Sequence, residues 1–372
     1  MKNFYRFPLL FFVLCSLFFV LCVSCASPHD TGDGPNPPID YTEWPSIRPK
    51  NIIILIGDGM GPVHEDAGRA SKGEPLVWDS FDYHAKVYTG SLTTLSSGSP
   101  TDSAASATAM ATGKKTNNGI IGMNASYNAI DNIMKYAQDK GKLTGVLTSD
   151  SLNGATPAGF SAHVQNRNLS TDIVLSQAAS GIDLLMGAGL AVPAYSENIG
   201  AFTGRRYSYV RGDVTALSQA GGRIIALFEV VRLHPAYMSA TLQEMTAFAL
   251  ERLGRSGNGF VLMIEGAKID WMTTVSSMLE EFEAFEECAR IVYDWAKGNG
   301  ETLIIVTADH ETGGMYFADG EYRYTYTNGA HTTTDVNCHI YWPHGYSPFA
   351  PYLEDGRIDN TDIFRIMYSA IQ

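Results

Sequence analysis

The sequence predicts an α/β protein, a three-layer sandwich whose mostly parallel central sheet carries helices on both faces. Three observations predict it. Four short apolar runs end in glycine or polar residues, as buried parallel strands do. Helical patterns lie between them, and strands that alternate with helices need crossovers that cover a sheet on both sides. Carboxylates and an imidazole follow the carboxyl ends of several runs, where ligands bind in sheets of this kind.

In chain order the runs are residues 51–56, 143–148, 260–264 and 302–307, and the helical patterns are 103–111, 130–140, 242–253 and 277–296. Asp58 follows the first run, Glu265 the third and Asp309-His310 the fourth. Taken singly, Asp58 in Gly57-Asp58-Gly59 reads as a turn residue, and Asp309-His310-Glu311-Thr312 as a helix cap. Together they point to a cation site. Carboxylate oxygen with imidazole nitrogen suits zinc, and oxygen-only ligation suits magnesium.

Composition narrows the class. Hydrophobic content of 45% with 17% charged residues excludes global disorder, and 36 glycines fit many strand-to-loop turns. One large domain over 48–372 is expected. Ahead of it, Lys2 and Arg6 precede an apolar run, 7–23, that ends at Val23-Ser24-Cys25. Residues 1–25 read as a secretory signal peptide of lipoprotein type, with Cys25 as the lipidated residue and membrane anchor. Cleavage after Ala26 and an uncleaved anchor are the alternatives. Residues 26–47, rich in Asp, Gly and Pro, read as a flexible tether. Each alternative exports the folded part, to the periplasm or cell surface.

Without Lys2 and Arg6 the chain keeps 24 basic residues against 39 acidic ones. That balance excludes a basic nucleic-acid-binding surface. Beyond the leader only Cys288 and Cys338 remain, either paired or buried and free.

Thr101-Asp102-Ser103-Ala104-Ala105 sets a serine at the start of an alanine-rich helix, where free N–H groups and the helix dipole favour an anion. Such a serine is an N-cap or, beside a metal ion that lowers its pKa, a nucleophile. With this motif, Gly57-Asp58-Gly59-Met60-Gly61, Ala155-Thr156-Pro157-Ala158, Glu265-Gly266-Ala267-Lys268-Ile269-Asp270 and Thr307-Ala308-Asp309-His310-Glu311-Thr312-Gly313-Gly314 make a set of five. In this order the set resembles the alkaline phosphatase family, in a short, exported bacterial form, from about Lys50 to His331.

The resemblance implies an alkaline-phosphatase-like sandwich and a phosphomonoester hydrolase of broad substrate range. Ser103 matches the nucleophile that becomes phosphoserine. Asp102 matches the carboxylate that orients the phosphate-binding arginine, expected at Arg167. Asp58, Asp309 and His310 match the ligands of the zinc that activates Ser103. Asp58, Thr156 and Glu265 match a magnesium site, and Asp270 and His331 match a second zinc. Relatives are commonly homodimers.

Two positions depart from the family pattern. A histidine is expected four residues after Asp270, but the chain has Thr274, and a neutral hydroxyl is a poor zinc ligand. Water, Asp335, His339, His344 or a different ion are the open alternatives. Gly154 stands where an aspartate or histidine is usual near the magnesium, and water can fill that shell. Rival readings are a phosphodiesterase or sulfatase of the same superfamily, or a metal-binding surface lipoprotein with weak or no turnover. Trp271 reads as a pocket wall or as packing, His163 as structural, and Tyr322 to Tyr326 as a strand without chemistry.

Overall fold

A computed structural model describes residues 47–229, 240–344 and 356–372. The expected signal peptide, Cys25 and all but the last residue of the tether lie outside the described residues.

The strands are β1 (Asn51–Gly57), β2 (Tyr83–Tyr88), β3 (Leu143–Ser151), β4 (Leu184–Ala188), β5 (Tyr207–Arg211), β6 (Arg223–Phe228), β7 (Phe260–Gly266), β8 (Thr302–Thr307), β9 (Glu311–Thr312), β10 (Met315–Ala318), β11 (Glu321–Tyr324), β12 (His331–Thr332), β13 (Val336–Tyr341) and β14 (Arg357–Asp359). Ten of them form one sheet in the order β14-β2-β13-β8-β1-β7-β3-β4-β6-β5. Only β13 runs antiparallel to its neighbours. The four expected strands are the four adjacent ones at its centre, β8-β1-β7-β3. Every residue of β1 is buried, which explains its unbroken apolar sequence. Each Ile or Leu of this run contributes roughly 1.5–3 kcal/mol by leaving water.

The helices are α1 (Pro62–Lys72), α2 (Leu92–Ser97), α3 (Ser103–Thr112), α4 (Ile133–Asp139), α5 (Ala155–Ser161), α6 (Ser170–Ala179), α7 (Pro193–Thr203), α8 (Leu242–Leu253), α9 (Val275–Asn299) and α10 (Asn360–Ile371). All but α2 pack among themselves in two sets. One is α1, α8 and α9, and the other joins α3, α4, α5, α6, α7 and α10. The sheet lies between the sets, giving the three layers. All ten residues of α3 are buried, and its alanines let α5 and α10 pack close against it.

Register places the chemistry. Ile56 of β1 stands beside Glu265 of β7 and Thr307 of β8, and Thr148 of β3 stands on the other side of Glu265. The carboxyl ends of four neighbouring strands therefore open on one crevice. Away from it, Cys288 and Cys338 are buried and free, and burial pushes both thiols up to about 12. Tyr322 to Tyr326 is a strand only as far as Tyr324.

Candidate active site

Asp58 leaves β1 into a turn that only glycine can make. Gly59 has φ of 74°, and a Cβ there would lie 2.7 Å from Thr312 Oγ1 and 2.9 Å from the Asp270 Cα. This close approach brings together loops far apart in sequence. The Gly59 N–H donates to Asp309 Oδ1 at 3.1 Å, and the His310 N–H donates to the same oxygen at 3.0 Å. Asp309 Oδ2 and Asp58 Oδ1 are buried and have no hydrogen-bond partner among the described residues.

His310 completes this group. Its Nε2 lies 3.4 Å from Asp58 Oδ1, 3.3 Å from Asp309 Oδ2 and 3.2 Å from Ser103 Oγ. The hydrogen bonds fix its tautomer. Thr312 Oγ1 donates to Asp270 Oδ1, so at 3.3 Å it accepts from His310 Nδ1–H. His310 Nε2 is then a lone pair facing two carboxylates. His331 is fixed likewise, because its Nδ1–H donates to the Thr101 carbonyl at 2.9 Å and leaves Nε2 bare 3.7 Å from Asp270 Oδ1. The two rings stack with centroids 3.5 Å apart. Two imidazoles with their far N–H groups anchored are what a metal centre requires.

Ligand atoms converge in two sets, Asp58 with Asp309 and His310, and Asp270 with His310 and His331. Electrostatics fits a cation in both. Burial pushes the Asp58 carboxyl well above its ordinary value, and the charges of Asp309, Asp270 and Glu265 push it further. Burial also raises Asp309, lifts Glu265 to about 8 and drives His310 down to about 3. Clustered carboxylates that resist ionisation, beside a neutral imidazole, lack a positive charge.

Ser103 is the first residue of α3, and Asp102, not Ser103, is its cap, accepting from the Ala105 N–H at 3.0 Å. The other Asp102 oxygen accepts from the Gly119 N–H at 2.9 Å and from Arg167 Nη1 at 3.1 Å. The Arg167 side chain is 36% exposed. Thr156 sits inside α5, which Gly154 caps, and its buried Oγ1 has no partner among the described residues. Glu265 Oε2 accepts from Thr148 Oγ1.

The remaining candidates fall elsewhere. Thr274 is exposed and caps α9 by accepting from the Ser277 N–H at 3.3 Å, so that side chain is committed to the helix. Asp335 is paired with Arg357, His339 with Glu65 and His84, and His344 with the Gly300 carbonyl. None of the three joins Asp270 and His331; the imidazole that does is His310. A Cβ at Gly154 would lie 2.8 Å from the Ser151 carbonyl, so an acidic side chain needs the turn to move. Trp271 is 58% exposed rather than packed, and His163 Nδ1 bonds the Gly122 carbonyl. Sequence reasoning missed Thr312, Thr148 and the Thr101 carbonyl. Thr312 and Thr101 lie inside quoted motifs and Thr148 ends a predicted strand, which is the signal that was there to use.

The family model described as Alkaline phosphatase matches residues 49–185 and 202–335. The chain is similar to alkaline phosphatase 3 of Bacillus subtilis (strain 168), at 33% identity over 302 residues covering 74% of this chain and 64% of that protein. It thus spans under two thirds of that relative's length. Among solved structures it is similar to the alkaline phosphatase of the Antarctic bacterium TAB5, with a TM-score of 0.77, 27% identity, and coverage of 87% of this chain and 98% of that one. A variant of the TAB5 enzyme, solved with Mg bound in its M3 site, gives 0.72, 26%, 87% and 98%. The matched segments contain all five motifs around the crevice, and the chain belongs to the alkaline phosphatase family.

Proposed function

We propose that the chain is a phosphomonoester hydrolase that works through a phosphoserine at Ser103. The observation that carries this reading is the position of Ser103 Oγ, 3.2 Å from the bare Nε2 of His310, at the amino end of a buried helix. Asp58, Asp309 and His310 would hold the zinc beside it, and Asp270 with His331 a second. Asp58, Thr156 and Glu265 would hold magnesium, a metal bound in one structure of the TAB5 relative. Two orphaned carboxylate oxygens and an orphaned hydroxyl support cations at these positions. When bound, the ions supply positive charge that lowers the Ser103 pKa and neutralises the transferring phosphoryl group.

The chain's own groups do the rest. The free N–H groups at the start of α3 and the Arg167 fork meet the non-bridging oxygens. Asp102 keeps that fork aimed while capping the helix that carries the nucleophile. Ser103 Oγ attacks phosphorus, the bond to the leaving alkoxide breaks in line, and water then cleaves the phosphoserine. Among the described residues these groups all meet the phosphoryl group rather than the leaving group, which supports a broad substrate range. We also infer export, lipid anchoring through Cys25, and a homodimer.

Turnover of nitrophenyl phosphate, its diester and its sulfate tests the reading, with metal content measured in parallel. The monoester is expected to react fastest, and Ser103→Ala is expected to lose at least ~10³-fold in kcat. Preference for the diester or sulfate would point to the related activities. Metal uptake without turnover of any of the three would make the chain a binding protein.

A further inference from the structure

A chain of buried polar side chains joins the last helix to the ligand loop. Asn360, fully buried, is the first residue of α10. Its Nδ2 donates to the Thr89 carbonyl at 3.2 Å and to Ser106 Oγ at 3.1 Å, while its Oδ1 accepts from Lys115 Nζ at 2.6 Å. Ser106 Oγ donates in turn to the Asp309 carbonyl at 2.7 Å. Thr89, Ser106, Lys115 and Asp309 are all buried.

The proton directions are determined. Ser106 has one O–H and spends it on the Asp309 carbonyl, so its lone pair needs a donor. The Lys115 ammonium can only donate, which fixes the Asn360 oxygen on that side and its NH₂ on the other. Of Asp309, Oδ1 is held by two backbone N–H groups and the carbonyl by Ser106, leaving Oδ2 facing the site. Ser106 stands one helical turn from Ser103, so the same hydroxyl ties the nucleophile's helix to the ligand.

We propose that Asn360 is a positioning residue. Through Ser106 it holds Asp309 and His310 in register with Ser103, so that the C-terminal helix completes the cation site. This rests on the proposed function, since the register matters only if Asp309 and His310 hold an ion. An aspartate at 360 keeps the volume and the Lys115 partner but turns an acceptor toward two oxygens. Ser106→Ala cuts the next link in a helix already rich in alanine, where it is expected to fold.

The experiment is zinc affinity of the full, metal-stripped chain, read by competition with a chromophoric chelator, beside kcat and KM for nitrophenyl phosphate. Asn360→Asp and Ser106→Ala are each expected to weaken zinc by about tenfold, and to lower kcat more than they raise KM. The double variant is expected to be no worse than the poorer single, because both cut one chain. Val292→Ala, which opens a cavity under α9 in the other helix layer, is the control and is expected to keep wild-type zinc affinity while lowering the melting temperature. Wild-type affinity in both single variants, or additive losses in the double, overturns the inference alone. Failure of the wild-type chain to bind zinc overturns it together with the proposed function.

Discussion

Buried among carboxylates, Glu265 keeps its proton up to about pH 8 in the metal-free fold, whereas its ordinary value is 4.5. Between these values folding takes up a proton, so this group's contribution to stability falls as pH rises from about 4.5 to about 8. Asp58 and Asp309 shift in the same direction. His310 opposes them, because a histidine lowered from 6.5 to about 3 adds stability as pH rises between those two values. Above 6.5 its contribution is flat, and the carboxylates alone set the slope. Chelated protein is therefore expected to melt at lower temperature at pH 8 than at pH 6.5, with a smaller fall in Glu265→Gln. Saturating magnesium and zinc should remove the fall by making ionisation favourable. Equal slopes for wild type and variant in the chelated state would sink this account. The sequence disclosed Asp58, Glu265, Asp309 and His310 because each lies at or just beyond a strand end. It placed Thr312 and Thr101 inside motifs without disclosing what they bind, since a tautomer depends on which neighbour the fold supplies.

Among the elements, α9 illustrates how a cap excludes a ligand. The pattern 277–296 foretold its apolar face, but the helix runs from Val275 to Asn299 because Thr274 caps one end and Gly300, at φ of 66°, closes the other. The expected ligand position is thus a helix boundary, and boundaries are less legible than periodicity. Thr274→His is expected to lose about 1 kcal/mol of cap energy and to lower the melting temperature, while Thr274→Ser keeps it. Differential scanning calorimetry checks both, and an unchanged melt for Thr274→His would mean that the cap carries no stability. The central strands were readable for the opposite reason. Buried on both faces, they have no polar side to interrupt the apolar run. β4 and β5 were not read because Leu-Leu-Met-Gly-Ala lacks β-branched residues and Tyr-Ser-Tyr-Val-Arg breaks its apolar run with polar ones. The 130–140 pattern shrank to α4 because Asn132 takes the capping role inside it.

For the whole molecule, the proposed export and lipid anchor rest on the segment ahead of the fold. A chain lipidated at Cys25 is expected to incorporate an alkyne-tagged fatty acid and to sediment with membranes, and Cys25→Ala is expected to lose both properties. An unlabelled soluble protein would favour cleavage after Ala26. Light scattering on the detergent-solubilised chain gives its oligomeric state. The sheet order has a consequence for biogenesis. β1 leads the described fold, yet its neighbours are β7 and β8, and the Gly59 to Asp309 bond spans 250 residues. Such long-range pairing is slow, because the intervening loop must close before any contact repays it. A nascent chain emerging from its amino end therefore carries β1 unpaired, apolar on both faces, until β7 at Phe260–Gly266 has been made. Until then the strand is an exposed apolar edge open to aggregation, and the proposed ion site, which needs Asp58 beside Asp309, can form only once β1 has paired with β8.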